Sequence, residues 1–100
     1  MPSAARVVLS QPAENDLNSI YEYLASEASP EIADFVLARL FEAMRRTAAY
    51  PLSLRERPDE RARRINVFDF AIFYLPLQNE PGIVVVRILH GRQDTPRLLH

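Results

Sequence analysis

The run Ile83-Val84-Val85-Val86-Arg87-Ile88-Leu89 narrows what this chain can fold into more than any other stretch. Branched side chains crowd a helix and fit a pleated strand, so a strand is predicted over about Ile83–Leu89. Strict alternation would place Val84, Val86 and Ile88 on one face and Ile83, Val85, Arg87 and Leu89 on the other. A preceding strand, about Phe70–Leu75, divides the same way into Phe70, Ile72, Tyr74 and Ala71, Phe73, Leu75. Both faces of such a sheet are apolar, and each needs cover.

The cover for one face is legible upstream. Arg6-Val7-Val8-Leu9 reads as a short first strand. Ser10 can then cap a helix with Pro12 in its first turn. Ala13, Leu17, Ile20, Tyr21, Leu24 and Ala28 recur at helical spacing. Ser29-Pro30-Glu31 restarts the pattern: a cap, a proline that needs no N–H, and an acid at the positive helix end. Ile32, Ala33, Val36, Leu37, Leu40, Phe41, Met44 and Ala48 form the second stripe, which stops before Tyr50-Pro51. So short a connection makes the helices an antiparallel hairpin. Residues 51–60 read as a loop with two prolines. A third strand is expected at about Ala62–Val67, with a tight turn at Phe68-Asp69. The order β-α-α-β-β-β implies an α+β fold, a helical hairpin on one face of a small, mainly antiparallel sheet.

One hairpin covers one face. The other is either closed by the 51–60 loop and the C-terminal tail, or left as a groove for a partner segment, in which Arg87 would meet a partner carboxylate.

With 100 residues the chain is expected to be one domain spanning 1–100, with 48% hydrophobic and 25% charged residues typical of a soluble globule. Two glycines argue against a phosphate-cradling loop, and zero cysteines exclude disulfides, a thiolate nucleophile and thiolate-bound zinc. No metal site or cofactor is indicated. No apolar run approaches membrane-spanning length and no leader pattern opens the chain, so no membrane partner and a cytoplasmic location are expected. Every basic residue is arginine. Residues 1–54 carry four arginines against seven acids, whereas 55–100 carry eight against six. The knot at Arg55, Arg57, Arg61, Arg63 and Arg64 is either a solvated loop and strand edge or a contact surface for an acidic partner or for phosphates.

Several blocks together resemble the RelE/ParE toxins of bacterial toxin–antitoxin modules. They are Ala13-x-x-Asp16-Leu17-x-x-Ile20-Tyr21-x-Tyr23-Leu24, Ser29-Pro30-Glu31-x-Ala33 and Tyr50-Pro51. Arg63-Arg64-Ile65-x-Val67-x-x-Phe70-x-Ile72-Phe73-Tyr74 and Val86-Arg87-Ile88-Leu89-His90-Gly91-Arg92-x-Asp94 complete the set. The resemblance covers nearly the whole chain. It implies a cytoplasmic toxin of the plasmid-stabilisation kind, held in a hetero-oligomer by a ParD-like antitoxin: a ribbon-helix-helix protein whose C-terminal segment wraps the toxin. In this superfamily the RelE branch cleaves messenger RNA on the ribosome, and the ParE branch blocks DNA gyrase.

RNA cleavage needs a base, an acid and cations about the phosphate. The chain has no lysine and no tyrosine after Gly91, so an RNase site would rest on His90 as base with Arg63, Arg87 and Arg92. The His90-Gly91-Arg92-x-Asp94 ending looks more like the ParE branch, which favours gyrase inhibition by binding, with no catalytic residue. Arg63, Arg87, His90 and Arg92 are then candidates for target binding, and Phe73, Leu75, Val85, Arg87 and Leu89 for antitoxin binding. The alternative for His90 is that it hydrogen-bonds locally and fixes its turn, and a non-toxic antitoxin-binding relic is a further alternative for the chain. Tyr21, Tyr23 and Tyr74 are expected in the core or at its boundary.

Overall fold

A computed structural model describes residues 5–50 and 62–90. In chain order these form β1 (Arg6–Leu9), α1 (Gln11–Glu27), α2 (Pro30–Ala49), β2 (Arg63–Val67), β3 (Phe70–Pro76) and β4 (Gly82–His90). The two helices pack on a four-stranded mixed sheet of order β1-β4-β3-β2, the expected α+β arrangement. β2, β3 and β4 are antiparallel neighbours, and β1 runs parallel to β4 with Val7 beside Ile83.

Both helix starts follow from their caps. Ser29 accepts a hydrogen bond from the Ile32 N–H at 3.1 Å, and Pro30 follows at once. The Ser10 hydroxyl does two jobs: it accepts from the Ala13 N–H at 3.1 Å and donates to the Val86 carbonyl at 2.9 Å. The cap of α1 is therefore also its anchor to β4. α2 ends at Ala49, as the Tyr50-Pro51 pair requires.

Ala13, Leu17 and Ile20 of α1 and Ala33, Leu40, Met44 and Ala48 of α2 are buried. Phe70, Ile72 and Tyr74 of β3 and Ile83, Val85 and Ile88 of β4 complete the core beneath them. Two expectations need correction. Ile32 and Tyr23, assigned to apolar stripes or boundaries, are exposed. Strict alternation along β4 also fails. Phe73 pairs with Arg87 while Tyr74 pairs with Val85, leaving Val86 as an extra, unpaired residue. This bulge shifts the phase by one position. Ile83, Val85 and Ile88 therefore share the helix-covered face, and Val85 is separated from Phe73, Leu75, Arg87 and Leu89, with which alternation had grouped it.

A close approach of strands fixes the start of β4. Gly82 has φ 137°, and a Cβ there would collide with the Arg6 carbonyl oxygen. Only glycine lets β1 lie this near. Among the described residues no helix is long and apolar enough to cross a membrane.

Candidate functional site: a groove beside the end of β4

β1 is too short to flank all of β4. It pairs with Gly82–Val85, and the Ser10 N–H closes the ladder on the Val85 carbonyl at 3.0 Å. Beyond that point the edge of β4 faces α1. Asp16 reaches it from the second turn of the helix and accepts the Ile88 N–H at 2.8 Å. The same carboxylate receives Arg87 in fork geometry, Nε to Oδ2 at 2.8 Å and Nη2 to Oδ1 at 3.0 Å. Paired planar donors and acceptors make this among the stronger kinds of ion pair. Its hydrogen bonds to Asp16 raise the Arg87 pKa above the ordinary arginine value, against a smaller opposing effect of burial. Arg87 therefore stays cationic throughout the working pH range. The carboxylate expected from a partner is supplied by this chain's own α1.

Asp16, Ser19, Ile20 and Tyr23 from α1 and Phe70, Arg87, Ile88, Leu89 and His90 from the sheet line a groove of about 540 Å³. His90 lies edge-on to Phe70 with ring centroids 5.3 Å apart, which orients the imidazole at the groove's end. The groove offers a charged pair, hydroxyls and apolar walls along a strand edge. It suits an extended polypeptide segment with mixed polar and apolar side chains.

The sequence candidates divide. Arg87, His90 and Leu89 come together at the groove. Phe73 and Leu75 are part-exposed on the sheet face away from the helices. Val85 is fully buried beneath the helices, so its side chain is turned from that face. Arg63 does not join Arg87. It sits opposite Tyr74 on the helix side, where its charge partly offsets the upward pKa shift that burial gives the Tyr74 phenol. Arg64 instead faces Phe73, its guanidinium 5.5 Å from the ring centroid, and Phe73 in turn pairs with Arg87. Arg92, with Arg55, Arg57 and Arg61 of the basic knot and the 51–60 loop, lies outside the described residues.

Asp16 entered the sequence reading only through the opening-helix block and Arg64 only through the basic knot and the central block, neither as a site residue. Arg64 was recoverable, since pairing Val67 with Phe70 across the tight turn puts Arg64 opposite Phe73. Asp16 stood in the quoted opening-helix block, but no neighbouring residue marked it as the part-buried partner of Arg87.

A family model described as the ParE toxin of the type II toxin–antitoxin system parDE matches residues 7–95. No curated protein gives a significant sequence match. Among solved structures, the chain is similar to one from the chromosomal ParDE toxin–antitoxin system of P. aeruginosa, at 19% identity and a TM-score of 0.71, covering 87% of this chain and 96% of that one. It is also similar to a chain of the toxin–antitoxin complex RelBE2 from Mycobacterium tuberculosis, at 18% identity and a TM-score of 0.55, covering 88% and 99%. Both likenesses are of fold.

Proposed function

This chain belongs to the ParE toxin family of type II toxin–antitoxin systems, and we propose that it acts in the cytoplasm by binding DNA gyrase and is neutralised by a ParD-like antitoxin. The observation that carries the reading is the fixed Asp16–Arg87 pair beside the groove. Two Arg87 donors are committed to a carboxylate, which lowers the local positive charge that a cleaving site would present to a phosphate. His90 packs its ring on Phe70 at the groove's end. These residues suit recognition of a protein surface better than general acid–base chemistry.

For the antitoxin, two surfaces invite an extended segment: the groove along β4, and the part-exposed side chains Phe73, Leu75 and Leu89 on the face away from the helices. Toxin–antitoxin complexes among the structural neighbours support a partner of this kind.

The test is a supercoiling assay with purified chain and gyrase, beside ribosome-programmed messenger RNA cleavage. Lost supercoiling with intact RNA is the expected outcome. Cut RNA with gyrase unaffected would refute the proposal and make His90 and Arg87 catalytic candidates. No response in either assay, from folded protein, would point to the non-toxic relic.

A further inference from the structure

Directly opposite its buried stripe, α2 presents Glu31, Phe35, Ala38, Arg39, Glu42 and Arg46 to solvent along one line. Phe35 is 56% exposed, and Phe68 in the β2–β3 turn is 57% exposed. Their rings lie 6.1 Å apart, and the Arg39 guanidinium sits 6.0 Å from one centroid and 5.9 Å from the other. Phe68 is held at φ 54°, where a bulky side chain is disfavoured by about 1 kcal/mol or more. A turn that tolerates this strain keeps an aromatic ring in water. With exposed Ile32 one turn earlier, the patch has the character of a contact surface.

The charge order indicates what meets it. Glu31 and Asp34 lie at the start of α2, and Arg45 and Arg46 at its end. Among the described residues Glu31, Asp34 and Arg45 form no ion pair, and Arg46 pairs only within the helix, with Glu42 at 3.2 Å. The helix dipole accounts for acids first and bases last, but not for the aromatic pair between them. A helix acidic at one end and basic at the other is complementary to itself when antiparallel.

We propose that the outer face of α2 docks on the same face of a second copy of this chain, antiparallel, about a two-fold axis near Ala38. The small side chain at the axis lets the helices approach. Glu31 of each copy then meets Arg46 of the other, and the Phe35–Arg39–Phe68 clusters flank the axis. The inference rests on the α2 surface and is independent of the choice of target.

Sedimentation velocity across the micromolar range tests it on the purified chain. A monomer–dimer equilibrium is expected. Phe35→Glu introduces two acids near the axis and weakens the dimer more than about tenfold. Glu31→Arg and Arg46→Glu each weaken it, since the two-fold repeats every reversal, and the double swap restores it. The chain has no cysteine, so Ala38→Cys supplies one thiol per copy, which oxidises to a cross-linked dimer while Asn66→Cys does not. A monomer at every concentration overturns the proposal, as does a dimer that survives Phe35→Glu or a swap that fails to restore. Loss of antitoxin co-purification by Phe35→Glu, with the wild-type chain monomeric, also overturns it and gives this face to the antitoxin.

Discussion

Replacing Asp16 with alanine removes three hydrogen bonds at once, and their contributions separate by exposure. The Ile88 N–H sits on a strand edge in a buried residue. Leaving such a donor without an acceptor costs about 1–3 kcal/mol, and the groove beside it admits water, which favours the lower half of that range. In the ion pair the Asp16 side chain is 15% exposed and that of Arg87 48%. Solvent screening discounts the pair to about 1 kcal/mol despite its fork geometry. The sum is about 2–3 kcal/mol, or about 10–20 °C in Tm for a chain of this size. Arg87→Met deletes only the second contribution, about 1 kcal/mol, because Asp16 keeps the Ile88 N–H. Asp16→Asn, which retains an acceptor, should fall between the two. Urea unfolding of the three variants and of the Asp16→Ala/Arg87→Met double mutant measures each contribution, with a coupling of about 1 kcal/mol that shrinks in high salt. Asp16→Ala proving no worse than Arg87→Met would refute the reasoning, since the strand-edge hydrogen bond would then contribute nothing.

The Tyr74 hydroxyl is buried with no hydrogen-bond partner among the described residues, so Tyr74→Phe is expected to stabilise the fold by about 1 kcal/mol in the same unfolding measurement. Burial raises the Tyr74 pKa above 10.0, so on alkaline titration the unfolded chain loses its proton first. Stability therefore declines as pH rises from about 10 towards the folded value, and Tyr74→Phe should remove that share of the slope; an unchanged slope would assign it elsewhere. Gly82→Ala forces a Cβ against the Arg6 carbonyl at φ 137° and should destabilise by about 3 kcal/mol or more. A wild-type unfolding midpoint would show that β1 can shift at little cost.

Local chemistry made much of the fold legible. Ser10 with Pro12, Ser29 with Pro30, and Tyr50 before Pro51 mark the helix ends through groups only a few residues apart. The turn at Phe68-Asp69 sets the pairing of β2 with β3 in the same local way. The phase of β4 was hidden because nothing in a run of valines marks one as extra. The bulge at Val86 is defined by the Ser10 hydroxyl on its carbonyl and by the pairing of Val85 with Tyr74 and of Arg87 with Phe73, all distant in sequence. For the same reason alternation groups Val85 with Arg87, and the pairing of Asp16 with Arg87, 71 residues apart, leaves no local sign.

Every tie that closes the sheet's far side joins the two ends of the described chain. Val7 lies beside Ile83, Ser10 holds Val85 and Val86, and Asp16 holds Arg87 and Ile88. Such closures carry a large loop entropy that must be met before any of them forms, so assembly is slower than for a helical bundle of equal length. During synthesis β1 and the groove both wait for β4 to leave the ribosome. A chain stopped after β3 would have two helices and a hairpin, but neither the lock at Asp16 nor the groove it borders.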